Sequence, residues 1–376
     1  MFSQDPSEWI WNPEDPSETT SEDAVNTFSE AGLYHMLIIH GIPEWMDTEG
    51  ESPSWDNDSD DSLPVTEYDA LKRAFSEVLL YYQGRVDYFQ IMNEPDLWMD
   101  YDQYTSIYKE ALAGMNEVNS DKAVGPQIAS AYMDETDWYK RMMDDPDIAP
   151  NVRFADWHSY GEEWSANAGE WHDANAEAGR DDIPLFVSEW NHTPDFEDGD
   201  TINGDSAEAI SFTGMKLSGM MDAGVTGSML FGSNDETDMF DADLRHPFIF
   251  ITSDGELAAK SATFRLLSKG LGLGAGQNKI THTADDGVSA SCSAVNSGGT
   301  HVAWAINNSD EEITLTFGLD NTDQSGDVEL AHYLASADND AREPVKTETK
   351  TAGDNGRIET EITTPSYSVY GVVVGG

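Results

Sequence analysis

Between residues 22 and 271, short apolar runs alternate with longer amphipathic segments, and this alternation constrains the fold of the 376-residue chain more than any other feature. The apolar runs fall at 34–40, 87–93, 123–127, 154–158, 185–188 and 228–231. In the segment 101–115, Tyr101, Tyr104, Ile107, Tyr108, Leu112 and Met115 recur at helical spacing. Further helices are predicted over 67–82, 206–223 and 257–271. Another is predicted over 21–31, with an acidic first turn and a stop before Gly32. Strands that alternate with helices make βα units around a parallel sheet, so the class is α/β.

The pattern changes after Gly270-Leu-Gly-Leu-Gly-Ala-Gly276. Short alternating runs at 288–295, 300–307, 312–319, 328–334, 357–363 and 366–374 are separated by Asn, Asp, Ser and Gly turns. They predict an all-β sandwich. The expected division is a βα domain over 1–274 and a sandwich over 275–376. The glycine-rich stretch is a boundary and not a phosphate loop, since no Lys-Ser/Thr follows it and no strand precedes it.

With 72 acidic and 19 basic side chains, the chain carries a formal charge of −53. That charge repels phosphate backbones and anionic lipid, which argues against nucleic-acid or membrane-surface partners. No apolar run is long enough to span a bilayer. The acids are spread along the whole length, which reads as a protein of a salt-loving organism, its surface screened by dense counterions. The single cysteine, Cys292, excludes an internal disulfide and a Cys-built zinc site, and it is expected to be a small core residue. Residues 1–15 show neither the basic nor the apolar stretch of a signal peptide. The expectation is the cytoplasm of a salt-accumulating cell, or secretion if the true start lies upstream.

Two strand ends carry the chemistry. Phe89-Gln-Ile-Met-Asn-Glu-Pro-Asp-Leu-Trp98 runs from an apolar strand into Asn93 and Glu94, and Pro184-Leu-Phe-Val-Ser-Glu-Trp-Asn191 ends in Glu189. A carboxylate at the C-terminal end of a buried parallel strand sits where βα-barrel active sites form. Two of them on different strands supply the pair that glycoside hydrolysis requires. A lone Glu after a strand in so acidic a chain is usually surface decoration. Two, each flanked by Asn and by Trp or Pro on an otherwise apolar strand, are not.

Asn93-Glu94-Pro95-Asp96, Ser188-Glu189-Trp190, Asp156-Trp-His-Ser-Tyr160 and Ile38-Ile-His-Gly-Ile-Pro-Glu-Trp45 together resemble the motifs of the retaining TIM-barrel glycosidases. Within that clan the chain is most similar to glycoside hydrolase family 39, the β-xylosidase and α-L-iduronidase group. The likeness runs from about residue 22 to 275, with 247–271 similar to the stretch leading into the last barrel helix. It implies a (β/α)8 barrel followed by a β-sandwich, no cofactor and no metal, and an oligosaccharide or glycoside as the binding partner. It also implies roles. Glu94 would be the acid/base, Glu189 the nucleophile, and Asn93 the partner of the sugar 2-hydroxyl. Tyr160 would orient Glu189, and His158 and His40 would line the sugar site. Trp45, Trp98 and Trp190 would stack on sugar faces, with barrel packing as the alternative for each. Where the clan often ends strand eight in Trp, this chain offers Phe231 or Asn234. Only about 33 residues precede the third barrel strand, so the expectation is a barrel lacking its first two strands. An endo-β-glucanase or mannanase of the same clan is the enzyme alternative, and an inactive carbohydrate-binding remnant is the non-enzyme one.

Weaker patterns remain. Acids at Asp56, Asp58, Asp60 and Glu67 mimic an EF-hand loop, but Asp61 stands where that loop needs Gly and Pro64 interrupts it, so a solvated acidic loop is the reading. Asn57, Asn191 and Asn307 begin glycosylation-type triplets, and a glycan at Asn191 would block the site beside Glu189.

Overall fold

A computed structural model describes residues 19–40, 68–97, 99–118, 123–126, 136–161, 163–192, 202–234, 248–252, 254–274, 278–279, 288–295, 300–320, 322 and 324–375. Helix α1 (Thr19–Glu30) leads into β1 (Met36–Ile39), α2 (Tyr68–Tyr82), β2 (Tyr88–Ile91), α3 (Tyr101–Glu117) and β3 (Ala123–Pro126). Then come α4 (Thr136–Asp144), β4 (Ala155–Tyr160), α5 (Ala168–Glu177), β5 (Leu185–Asn191), α6 (Ala207–Asp222) and β6 (Gly227–Leu230). Each of the six predicted strands forms. Among the described residues no helix is long and apolar enough to cross a membrane. The acidic EF-hand-like segment and Asn57 lie outside the described residues.

The chain divides into two compact units, one of Met1–Ser159, Ala168–Ser188 and Thr226–Ser228, the other of Tyr160–Asn167, Glu189–Val225 and Met229–Gly376. In the first, β1, β2 and β3 form a parallel sheet with β2 in the middle. Helix α3 buries the predicted stripe of Tyr104, Ile107, Tyr108, Leu112 and Met115. Its tyrosine hydroxyls tie it to the sheet: Tyr104 donates to the Ile91 carbonyl at 3.2 Å and Tyr108 to the Val124 carbonyl at 3.3 Å. Asp100 starts the helix with a capping box, accepting from the Gln103 N–H while the Gln103 side chain accepts from its own N–H. Gly114 lets α2 approach, since a Cβ there would lie 2.9 Å from the Lys72 carbonyl oxygen. Strands β4, β5 and β6 are neighbours in that order. The bonds from Thr226 N–H to Leu185 and from Phe231 N–H to Trp190 keep the same offset along both chains, so β5 and β6 run parallel.

The second unit holds β7 (Ser233–Asn234), β8 (Ile249–Ile251), α7 (Ser261–Arg265) and β9 (Asn278–Lys279). It continues with β10 (Ala290–Val295), β11 (His301–Asn307), β12 (Ile313–Leu319), β13 (Asp327–Ser336), β14 (Asn339–Asp340), β15 (Lys346–Thr351), β16 (Ile358–Thr364) and β17 (Ser368–Val374). One sheet runs β14-β13-β17-β11-β10-β9 with β15 also on β13, and β12 pairs with β16. Leu315, Phe317, Ile358 and Ile362 of the pair pack with Ala303, Leu330, Tyr370 and Val372 of the large sheet, which makes the predicted sandwich. Strand β16 alternates buried and exposed at every position, as a half-buried strand must. Cys292 is a buried core residue of β10, as expected.

Three expectations change. Helix 257–271 is shorter: Leu257 bridges to Ile251, the helix begins only at Ser261, and Leu266–Gly270 is one π-helical turn. Strand β15 was invisible because its sequence, KTETKT, is polar at every position and lies at a sheet edge. The compact units do not divide at residue 274. Helix α6 is buried continuously from Ala209 to Ser218, so it must be covered all round. A Cβ at its Gly214 would stand 2.6 Å from Val369 and 3.0 Å from Ile306, and Trp304 donates to Ser218 Oγ at 2.9 Å. This helix therefore belongs with the large β-sheet.

Candidate active site

The first half of the site grows out of β2. Beyond Ile91 the backbone turns sharply, with Met92 at φ 66° and Glu94 at φ 46°, a region that residues with side chains occupy at a cost of about 1–3 kcal/mol each. The neighbourhood holds the turn in place. Met92 N–H donates to the Ile39 carbonyl at 2.9 Å, and the buried Gln90 amide donates to the Met92 carbonyl at 3.1 Å. Asn93 N–H donates to His40 Nδ1 at 3.2 Å. His40 must be neutral at Nδ1 to accept that bond. Burial of the ring, which outweighs the opposing pull of the Glu94 charge, lowers its pKa in keeping with this.

Glu94 is thus displayed on a fixed bend, 14% exposed at its side chain, and its Oε1 lies 2.8 Å from Nδ1 of the fully buried His158 side chain. Imidazole nitrogen can donate to an ionised carboxylate or accept from a protonated one. The pair therefore tolerates both protonation states of Glu94.

The second half lies at the end of β5. Tyr160 donates from its hydroxyl to Glu189 Oε2 at 2.8 Å. The Tyr160 ring is held edge-on by Phe231 at 6.4 Å and by Phe248 at 6.1 Å. Phe231 is fixed in turn, its N–H on the Trp190 carbonyl at 3.0 Å and its carbonyl taking the Asn191 amide at 2.7 Å. A phenol hydroxyl, unlike an imidazole, takes up no proton at neutral pH, and here it is the donor.

Strand β4 is the common element. Asp156, His158 and Tyr160 follow a period of two and so share one face, while Trp157 faces the other way and stacks on Trp171 at 4.5 Å and 7°. Asp156 is fully buried and accepts the Ser188 N–H at 3.0 Å, which ties β4 to β5 one residue before Glu189.

The remaining candidates separate. Trp190 has no exposed surface and stacks on Phe264 at 6.3 Å, so the expectation of a sugar platform is corrected: it is a packing residue. Trp45, Trp98 and the Asn234 side chain lie outside the described residues. Asn191 and Asn307 are 3% and 1% exposed, and their amides are engaged, Asn307 with the carbonyls of Glu311 and Pro365. Neither has a free amide to present to a glycosylating enzyme. Sequence reasoning missed Gln90 and Phe248. Gln90 carried a signal, an amide inside an apolar strand run; Phe248 carried none.

No protein-family model matches the chain, and no curated protein matches it in sequence. Solved structures do match in fold, several glycosidases among them. A family 30 subfamily 8 xylanase from Clostridium acetobutylicum superposes with a TM-score of 0.70 at 14% identity, covering 97% of this chain and 85% of its own. A glucosidase from Croceicoccus marinus gives 0.69 at 15% identity, covering 99% and 83%. A family 39 β-xylosidase from Caulobacter crescentus gives 0.69 at 13% identity, covering 100% and 86%. The chain shares its fold with these TIM-barrel glycosidases.

Proposed function

We propose that this chain is a retaining glycoside hydrolase acting on β-linked xylosides or related glycans. The observation that carries the reading is the pairing of each strand-end carboxylate with a different partner from β4, His158 for Glu94 and Tyr160 for Glu189. In the first step a Glu189 oxygen attacks the anomeric carbon, the bond to the leaving oxygen breaks, and Glu94 gives that oxygen its proton. In the second, Glu94 takes a proton from water, the water oxygen attacks the same carbon, and Glu189 departs as carboxylate. Tyr160 holds Oε2 and so presents the other oxygen of Glu189. Asn93 serves the sugar 2-hydroxyl. The xylanase and β-xylosidase among the fold neighbours support the choice of sugar, and the glucosidase keeps β-glucosides as the second substrate class.

The charge of −53 supports a working environment of molar salt. The test is a panel of aryl β-glycosides in molar KCl, with the anomeric configuration of the first-formed product followed by NMR. Turnover with retained configuration is expected. Inverted product would overturn the double displacement, and no turnover of any glycoside would favour the carbohydrate-binding remnant.

A further inference from the structure

Lys216 sits in the middle of α6 with no exposed surface, in a chain whose acidic coat offers a lysine many partners at the surface. Its ammonium donates to the carbonyl of Glu163 at 2.7 Å and to that of Gly161 at 3.4 Å. Gly161 directly follows Tyr160 in the chain, and Glu163 stands three positions after it. Two other residues of α6 hold the same segment. A Cβ on Gly219 would come within 2.4 Å of the Trp164 carbonyl oxygen, so the helix backbone rests on that residue, and the Phe212 ring meets Trp164 at 5.3 Å. Phe212, Lys216 and Gly219 follow the four- and three-residue steps of one helix face.

Filling this space would not require a charge. A methionine has similar reach and none of the desolvation penalty that a buried ammonium bears. Burial, opposed by Glu163, lowers the lysine pKa to about 8. What the ammonium adds is directional: it gathers two backbone acceptors, the Gly161 carbonyl and the Glu163 carbonyl, the latter also taking the Ala166 N–H at 3.2 Å.

We infer that Lys216 is a positioning residue for Glu189, fixing the turn after β4 so that Tyr160 keeps its hydroxyl on Glu189 Oε2. The inference rests on the reading of Glu189 as nucleophile and deepens it. The chain of contacts runs from the ammonium to the Gly161 and Glu163 carbonyls, through the backbone to Tyr160, and across 2.8 Å to the carboxylate.

The experiment is a double-mutant cycle on the full chain in molar KCl, using whichever aryl β-glycoside the wild type turns over. Lys216→Met should lower kcat about tenfold, the size of one hydrogen bond to a charged group, with KM nearly unchanged. Its melting temperature should not fall, since a buried charge has been removed. Tyr160→Phe should show the same split. The double variant should be no slower than the slower single one, because both act through one contact. Losses that multiply, or Lys216→Met at the wild-type kcat, would overturn the inference. If Lys216→Met does not fold, Lys216→Gln keeps an N–H donor: it should cost a smaller factor in the wild type and nothing in the Tyr160→Phe background. A cost that persists in that background would count against the inference. The two readings fail separately. An active Glu189→Ala removes the nucleophile assignment, whereas an inactive Glu189→Ala beside a fully active Lys216→Met removes only the role of Lys216.

Discussion

Glu94 and Glu189 both close a buried strand, yet they are held in opposite ways. Glu94 stands on a strained bend in which both it and Met92 have positive φ, and it faces an imidazole that can give or take a proton. Glu189 lies within the extended run of β5 and accepts from a phenol, which takes up no proton at neutral pH. An acid/base must change protonation twice per turnover, whereas a nucleophile must stay ionised until it bonds. The two environments divide along that line. The proposed roles therefore rest on partners and backbone, and not on order in the chain.

The sharpest way to break this contrast is to remove each carboxylate in turn. Glu189→Ala should nearly abolish turnover of an activated aryl β-xyloside, and azide should restore it with an α-configured glycosyl azide. Glu94→Ala should leave glycosylation by a good leaving group almost intact. It should slow substrates that need protonation by about 10²–10⁴-fold, and azide should then give the β-product. If the two azide products have the same configuration, the roles do not divide as stated.

Removing the partners comes next in size. Tyr160→Phe deletes one hydrogen bond to a charged group and should cost about tenfold to a hundredfold in kcat/KM, equally for good and poor leaving groups. His158→Phe should depend on the leaving group, as Glu94 variants do. Equal leaving-group dependence in both variants would erase the distinction between the two partners.

A further test concerns the ground on which both halves stand. With screening lengths falling from about 10 Å at 0.1 M salt to about 3 Å at 1 M, the melting temperature should climb steeply toward molar KCl. A flat or falling trend would refute the halophile reading. The smallest effect separates the two units. Lys216 and Lys260 both lie in the unit of Glu189, and burial lowers their pKa values to about 8 and about 7. The unfolded chain, with lysines near 10.5, holds more protons across that window, so stability should rise with pH from about 7 to 10. The gain is on the order of a few kcal/mol. Melting in molar KCl at stepped pH checks it, and Lys216→Met should flatten the rise above about pH 8, leaving the part between about 7 and 8 to Lys260.

How far the sequence could be read follows from the range of each signal. The period-two and period-3.6 patterns are local, and they located the six strands of the βα series, the stripe of α3 and the alternating strands of the sandwich. Strand β15 escaped because it has no apolar face to register, and the helix at 257–271 was overdrawn because its periodicity ignores the bridge from Leu257 to Ile251. Glu94 and Glu189 were singled out because each ends an apolar strand beside Asn and Pro or Trp, whereas His158 and Tyr160 were named through the family resemblance alone. Trp190 shows the limit: its flank beside Glu189 suggested a sugar platform, and only Phe264, 74 positions along the chain, makes it a packing residue.

What the sequence determined by itself is therefore the alternation of elements and the β-module, since each is written in neighbouring residues; the two carboxylates it singled out stand as the proposed pair. What only the tertiary structure decided is which side chains meet. His158 reaches Glu94 across 64 positions, Tyr160 reaches Glu189 across 29, and Lys216 reaches Glu163 across 53. No local pattern encodes such contacts, because they exist only once packing has removed water and brought distant strands and helices within hydrogen-bond range.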